Sequence, residues 1–437
     1  MSRPIESDPT EGTRIPLRKC SCSRPLGKGT HLTRIAVGIP SYREVESIRN
    51  VVETVDNGLA TVMAPAECLI VNMDGGSEDG TRQAFLDTTT RCPKVLLEIP
   101  GPPSGKGANV LPFLALCDER QVEAAALIDA DVTSAAPEWI PCLLEPVLSG
   151  RAGMVFPIYA RHRYDGATTN LFAYPLIEAL CSSGVRQPIG GEIGLGPDLI
   201  RLALRSPVPT PAYRYGIDVF LALLWLGTGH RAAQVNLGRK IHKPSHPKRD
   251  LIFVQVAATL LATLRNLVGT GAWTPGGSLT ESCTDAGIDA DASEAPPVAL
   301  SAQVSEAQRH VSSHLAEYDW TQTDLGPLCE GQPLTEELWA NLLADWVAAG
   351  LTRPALDAVL HAKRLLPLYY LRMQAFWGDI ARLTPSAIED YLSHSVSRLA
   401  RGLHCHSSLI STAINSRSKA THPQPRGASQ RISSFSP

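Results

Sequence analysis

The run of hydrophobic and polar positions changes character three times along the chain. Up to about residue 30, Pro, Ser, Arg and Gly follow one another without a period, which predicts a flexible leader. From Arg34 to about Leu267 short apolar runs alternate with helix-like stretches, the runs lying at 35–39, 68–71, 95–97, 124–128 and 232–235. Most are followed by turn chemistry or an acid. The alternation predicts βα units and a mostly parallel sheet buried on both faces, with flanking helices. Ligands bind such sheets at the carboxyl ends of the strands. Pro40, Asp74 and Asp129 therefore fall on one rim. From 269 to 300 the chain turns to Gly, Ser, Thr, Asp and Ala, a linker or long loop. From 301 to 403 the period is helical. Thr335 is placed to cap a helix with Glu336 and Glu337 in its first turn and Leu338, Leu342 and Trp346 on one face, ended by Gly350. Thr384-Pro385 opens another, with Gly402 past its end. The Ser- and Arg-rich stretch 404–437 predicts a disordered tail, and no internal repeat is visible.

Composition narrows the class. The chain has 437 residues, 44% hydrophobic and 19% charged, enough for a real core and for a catalytic domain of 31–268 with an appendage. A net charge of -3 makes no electrostatic case for nucleic acid. The ten cysteines include no CxxC pair, and Cys68, Cys117, Cys142 and Cys181 sit in apolar runs as small hydrophobes, so a reducing cytoplasmic setting is expected. No signal-peptide pattern opens the chain. The most lipid-like stretch, 251–264, is interrupted by Gln255 and falls short of the ~20 residues a span needs, which predicts a buried helix and a soluble protein.

Chemistry enters with Asp129-Ala130-Asp131 after the fourth apolar run. At a strand end residues i and i+2 point the same way, so both carboxylates can face one hard cation such as Mg²⁺ or Mn²⁺, shared with a diphosphate. Asp74-Gly75-Gly76-Ser77-Glu78-Asp79-Gly80-Thr81 follows the second run. Asp74 can accept the N–H of a nucleobase, and the same residues read equally as an acidic turn capping the next helix through Ser77 or Asp79. In Ser104-Gly105-Lys106-Gly107 two glycines and a lysine open a helix, which suits an anion and falls short of a P-loop. Glu192 follows the double glycine of Gln187-Pro188-Ile189-Gly190-Gly191, and Asp218 follows Tyr215-Gly216-Ile217. Either acid can contact a sugar hydroxyl or orient an acceptor, while Asp218 also reads as a helix cap. His242, after Gly238-Arg239-Lys240-Ile241, is a candidate metal ligand or a solvated basic-stretch histidine.

The order Ile-Pro-Ser-Tyr, DGGSxDGT, GKG, IDAD, QPIGGE, YGID and VNLGxxxH, over about 34–267, resembles the retaining GT-A glycosyltransferases that make glucosylglycerate, mannosylglycerate and glucosyl-3-phosphoglycerate. The pair QPIGGE and VNLGxxxH is the specific part of this resemblance, since DGGSxDGT is shared widely. The resemblance implies a Rossmann-like GT-A fold with a helical C-terminal region. It implies that Pro40, Tyr42, Glu44 and Asp74 hold the nucleoside, Lys106 the donor phosphates, and Asp129 ribose or donor sugar. Asp131 with His242 would ligate the metal. Glu192 would lie below the transferred sugar with Asp218 as a second catalytic acid, and Lys240 would stand where phosphoglycerate enzymes carry an arginine.

The resemblance also places the glyceryl-acid site at Arg161, Thr168, Thr169 and Asn170. Phosphoglycerate enzymes have an arginine where this chain has Ala167, which favours D-glycerate; Arg161, Arg163 and Arg186 are the residues that can still supply a phosphate site. The implied partners are a UDP- or GDP-hexose and a small glyceryl acid. The helical C-terminal region is expected to cover the acceptor side or to form a homodimer. Two other classes compete. A sugar nucleotidyltransferase needs a GxGxR-type loop where this chain reads Ile39-Pro40-Ser41-Tyr42-Arg43-Glu44. A non-catalytic nucleotide-sugar binder would not need the paired acids, Lys106 and His242.

Overall fold

The computed structural model describes residues 33–99, 105–243, 248–282, 300–353 and 355–406. The stretches read as leader and, beyond 406, as tail lie outside the described residues, as do Ser104 and 283–299. The expected strands form: β1 (Ile35–Ser41), β2 (Cys68–Asp74), β3 (Lys94–Glu98), β4 (Ala124–Leu127) and β7 (Ala232–Arg239). Three more were not anticipated: β5 (Met154–Ala160), β6 (Ile193–Leu195) and β8 (Leu279–Ser282). The last lies inside the stretch read as a linker.

The eight strands form one sheet in the order β3-β2-β1-β4-β6-β5-β7-β8. Only β6 runs against its neighbours β4 and β5; the other described pairings are parallel. This is the mostly parallel α/β arrangement that the alternation predicts, and its flanked sheet agrees with the Rossmann-like fold that the resemblance implies. Helices α1 (Ile48–Val62), α2 (Thr81–Asp87), α3 (Lys106–Arg120), α4 (Trp139–Leu148), α5 (Tyr174–Cys181), α6 (Pro197–Arg205), α7 (Ile217–Leu226) and α8 (Arg249–Gly269) flank it.

Strand periodicity divides the core in two. Ile35, Val37 and Ile39 of β1 meet α1, α2 and α4 through Val51, Val55, Phe85 and Ile140 on one face. Ala36, Val71 and Leu127 face Phe113 of α3, Phe220 of α7 and Leu260 of α8 on the other. Burial on both faces is why these runs are apolar throughout.

The C-terminal region comprises α9 (Ser301–Ser313), the short α10 (Gly326–Cys329), α11 (Glu336–Thr352), α12 (Ala358–Ile380) and α13 (Pro385–Cys405). Thr335 and Thr384 cap α11 and α13 as expected, accepting from Leu338 N and Ala387 N at 3.3 Å. The two glycines read as helix stops do not stop anything. Gly350 lies inside α11, where an added Cβ would stand 2.4 Å from Leu261 Cδ1, and Gly402 lies inside α13 against Ala344 Cβ at 2.9 Å. Close helix approach, not termination, is the reason for both. The stretch 251–264 lies in α8, exposed at Leu251 and buried over most of 253–264, and α8 is the one described helix long and apolar enough by composition to cross a bilayer. Its packing inside the protein is visible in Phe253, stacked on Tyr369 of α12 with ring centroids 4.0 Å apart.

Candidate functional site

The carboxyl ends of β1, β2, β4, β5 and β7 share one rim. Because β6 is reversed, its amino end joins them, and Ile193 pairs with Leu127. That single reversal sets Gly191-Glu192 beside the end of β4. A second device brings in the most distant segment: Val132 bridges His242, Thr133 N donates to Ile241 O at 2.9 Å, and Ile241 N donates to Ser134 Oγ at 2.8 Å. The stretch 240–243 is thereby fastened beside Asp131.

These segments wall a cleft of about 950 Å³. Of the residues singled out from the sequence, Pro40, Tyr42, Glu44, Lys106, Asp129, Asp131, Arg161, Thr168, Thr169, Asp218, Lys240 and His242 line it. Asp74, Asn170 and Glu192 stand behind the wall. Asp74 is 1% exposed, and its Oδ2 accepts from Gly76 N at 3.0 Å and Ser77 N at 2.8 Å, backbone amides of the turn that precedes α2. Asn170 is buried, its amide donating to Asp165 O at 3.4 Å. Glu192 is fully buried; its Oε2 lies 2.6 Å from Lys240 Nζ and accepts from Tyr159 OH at 2.5 Å.

Lys106 is the electrostatic centre. Its Nζ lies 2.8 Å from Asp129 Oδ1 and 3.2 Å from Asp218 Oδ1, and donates to Gly191 O at 3.3 Å. Burial opposes its charge, yet Asp129 and Asp218 hold the ammonium above its ordinary value. The same contacts lower Asp129 against the pull of its own burial. Asp131 differs. Burial, and Asp129 beside it, push its carboxyl up to about 6, and it makes no hydrogen bond or ion pair among the described residues. An under-compensated carboxylate facing the cleft fits a cation better than a structural role.

The glycines around Lys106 need a correction. They were read as letting the backbone approach an anion. An added Cβ at Gly107 would stand 1.8 Å from Ala212 O, one at Gly105 would stand 2.7 Å from Arg214 Cα, and Gly107 N already donates to Arg214 O at 2.9 Å. The glycines admit the segment 212–214, which carries Arg214 and Tyr215 into the cleft. Gln255, the polar break in the apolar run of α8, accepts from Tyr215 N at 2.9 Å and completes that placement. Gly107→Ala is therefore expected to destabilise the protein by about 1–3 kcal/mol, because a backbone carbonyl is the atom in the way; urea unfolding measures it.

His242 enters the cleft with Nε2 3.9 Å from Asp165 Oδ2 and Nδ1 2.8 Å from Lys243 O. Against the effect of burial, His242 and Arg161 hold the Asp165 carboxyl below its usual range. Among the described residues no group of three or more His, Cys, Asp or Glu is arranged to hold a metal. Mg²⁺ and Mn²⁺ do not require one, since they take one or two protein ligands together with water and phosphate oxygens.

Of the arginines weighed for a phosphate, only Arg161 lines the cleft, bonded to Asp165 Oδ2 at 3.1 Å and Gln187 Oε1 at 3.0 Å. Arg163 donates to the carbonyls of Ile380, Ala381 and Leu383, and Arg186 pairs with Glu389 at 2.7 Å. Both fasten the C-terminal helices. Tyr369 of α12 reaches the cleft itself, 3.1 Å from Thr168 Oγ1, so the C-terminal region contributes to the cleft wall beside Thr168.

Sequence reading missed Arg214, Tyr215, Lys248, Arg249, Asp165 and Tyr369 as lining residues. Only Tyr215, which opens the YGID motif, belongs to one of the quoted motifs, and the approach of α3, α8 and α12 is what assembles the set. Altogether eight Lys or Arg side chains face five carboxylates in the cleft, in a chain whose net charge is -3. The lining is thus biased toward anions relative to the molecule as a whole.

No family model matches the chain, and no curated protein matches it. Among solved structures, glucosyl-3-phosphoglycerate synthase from Mycobacterium tuberculosis with Mn²⁺, uridine diphosphate and phosphoglyceric acid is 26% identical. That match covers 53% of this chain and 78% of that one, with a TM-score of 0.42. The same synthase with Mn²⁺ and UDP-glucose is 27% identical over 53% and 79%, TM-score 0.42. A mycobacterial protein is 27% identical over 53% and 74%, TM-score 0.43. At that level of superposition the activity has to be argued from the residues of the site itself.

Proposed function

We propose that the chain is a metal-dependent, retaining glycosyltransferase that moves glucose or mannose from a nucleotide sugar to D-glycerate. The observation that carries this reading is the convergence, in one cation-rich cleft, of three separate segments that bring Lys106, the pair Asp129 and Asp131, and the pair Lys240 and His242. A nucleoside diphosphate hexose needs that combination: positive charge for two phosphates, a carboxylate for the bridging metal, and a cavity of several hundred Å³. Asp131 would hold Mg²⁺ or Mn²⁺, with His242 as second protein ligand; the metal supplies Lewis acidity toward the departing diphosphate. Lys106 and Lys240 add fixed positive charge that needs no reorganisation during reaction.

Asp129 is tied to Lys106 and Glu192 is buried against Lys240, so neither is presented as a free nucleophile. Attack from the face of the leaving group follows as the working mechanism, and its signature is retention at the anomeric carbon. A product with inverted configuration would remove this reading. On the acceptor wall, Arg161, Thr168 and Thr169 face the cleft and suit a carboxylate and hydroxyls.

Arg214, Lys248 and Arg249, which also line the cleft, favour a second reading in which 3-phosphoglycerate is the acceptor. The test crosses UDP-glucose, GDP-glucose and GDP-mannose with D-glycerate and 3-phosphoglycerate in Mg²⁺ or Mn²⁺. Turnover with D-glycerate, abolished by a chelator, is the expected result. Turnover with 3-phosphoglycerate alone would replace the acceptor, and no turnover with any donor would end the proposal.

A further inference from the structure

Tyr159 is among the largest fully buried side chains, and it touches Lys240 and Arg161, which line the cleft, without lining the cavity itself. It is the penultimate residue of β5 and is fully buried. Lys240 Nζ lies 5.0 Å from the centre of its ring and Arg161 Cζ lies 5.4 Å from it, so one aromatic ring serves two cations. Its hydroxyl donates to Glu192 Oε2, the same oxygen that holds Lys240 at 2.6 Å. Its carbonyl accepts from Gln187 Nε2 at 2.9 Å, and the other end of that amide, Oε1, accepts from Arg161 Nε.

The backbone is shaped for this contact. Between Ile158↔Asn236 and Ala160↔Arg239 the pairing of β5 with β7 slips by one residue. The extra residue is accommodated at Gly238, whose φ of +71° suits glycine and whose missing Cβ would meet nothing within 4 Å. Conformation, not space, is what demands glycine there. The slip sets the β7 end, and hence Lys240, against the Tyr159 side of the sheet.

Resting on the glycosyltransferase reading, we propose that Tyr159 is a positioning residue that fixes Lys240 and Arg161 relative to one another, and so holds donor diphosphate and acceptor in register. The hydroxyl keeps the buried Glu192 carboxylate in place under Lys240; without it, Glu192 Oε2 retains Lys240 alone, while Oε1 already has no partner among the described residues. The ring then sets how far the two cations stand apart. Tyr159 makes no contact with substrate and transfers no proton.

The test uses the full chain with the donor and acceptor that support turnover. Tyr159→Phe removes only the hydroxyl and is expected to lower kcat roughly tenfold or more with both KM values within about threefold, the size of one lost hydrogen bond to a charged group. Tyr159→Leu removes the ring as well and is expected to raise the acceptor KM in addition. A Lys240→Met background supplies the coupling readout: adding Tyr159→Phe there should change kcat less than twofold, because the hydroxyl acts through Lys240. Independent, multiplicative losses would overturn the proposal, as would a Tyr159→Phe enzyme within twofold of wild type. Should Tyr159→Phe fail to fold, Tyr159→Leu takes its place in the same cycle, with the same outcomes for kcat. A wild-type chain that turns over no nucleotide hexose overturns the glycosyltransferase reading and this proposal together; a working wild type leaves only Tyr159 at stake.

Discussion

Asp131→Ala is expected to lower kcat/KM by about three orders of magnitude and to abolish the response to Mg²⁺ or Mn²⁺, while the protein stays folded. The magnitude follows from removing several kcal/mol of metal-borne charge stabilisation, with each ~1.4 kcal/mol equal to one decade. Steady-state kinetics against metal concentration, with Mn²⁺ binding by calorimetry, measures both effects; a variant that still titrates with metal would move the metal site elsewhere. Asp131 also carries a pH signature in the metal-free protein. Burial and Asp129 raise its folded carboxyl to about 6, above the ~3.9 of an unfolded chain, so the native state holds that proton more tightly. The resulting penalty is absent below about pH 4 and complete above about pH 6. Asp131→Asn should therefore raise the melting temperature of the metal-free protein at pH 7 and leave it unchanged at pH 4.

Lys106→Met carries the second large effect, on stability as well as turnover. The methylene stem is preserved, but Asp129 and Asp218 lose the cation that lies 2.8 and 3.2 Å from them. Breaking a buried pair by removing one partner costs about 3–5 kcal/mol, because the charge left behind is uncompensated. With side chains 13–23% exposed, the lower end of that range is expected here. Urea unfolding should show the loss at neutral pH, and Lys106→Met with Asp218→Asn should recover part of it. Full stability in the single variant would mean that the acids find other partners. Turnover is expected to fall with or without the second change, since the fixed charge near the donor phosphates is gone in both.

Much of the site was legible from local chemistry. Twelve of the fifteen singled-out residues line one cleft, because strand ends followed by acids, glycine turns and lysines report their location through the period of two and the carboxyl-end rule. Asp74 and Glu192, beside strand ends, and Asn170, in the helical turn at 169–173, stand one layer behind the lining. A polar residue at a strand end can face the cavity or turn back to satisfy neighbouring N–H groups and cations, and the choice depends on what packs behind it. The glycines show the same ambiguity. Gly107, Gly350 and Gly402 answer to a carbonyl or side chain from a distant segment, so no local signal distinguishes them from turn or stop residues.

What the amino-acid pattern determined alone was the α/β class, the parallel core strands, the caps at Thr335 and Thr384, and the rim on which the chemistry lies; all are consequences of short-range periodicity and hydrogen-bonding. The tertiary structure decided what depends on non-local contact. It reversed β6 to bring Glu192 to the rim and bridged Val132 to His242 beside Asp131. It drew Arg214 and Arg249 into the wall, placed Tyr369 of α12 beside Thr168, and set Tyr159 against two cations. Each needs segments dozens to hundreds of residues apart to meet, and the free energy that selects those meetings resides in burial and charge pairing across the whole core, which no window of sequence contains.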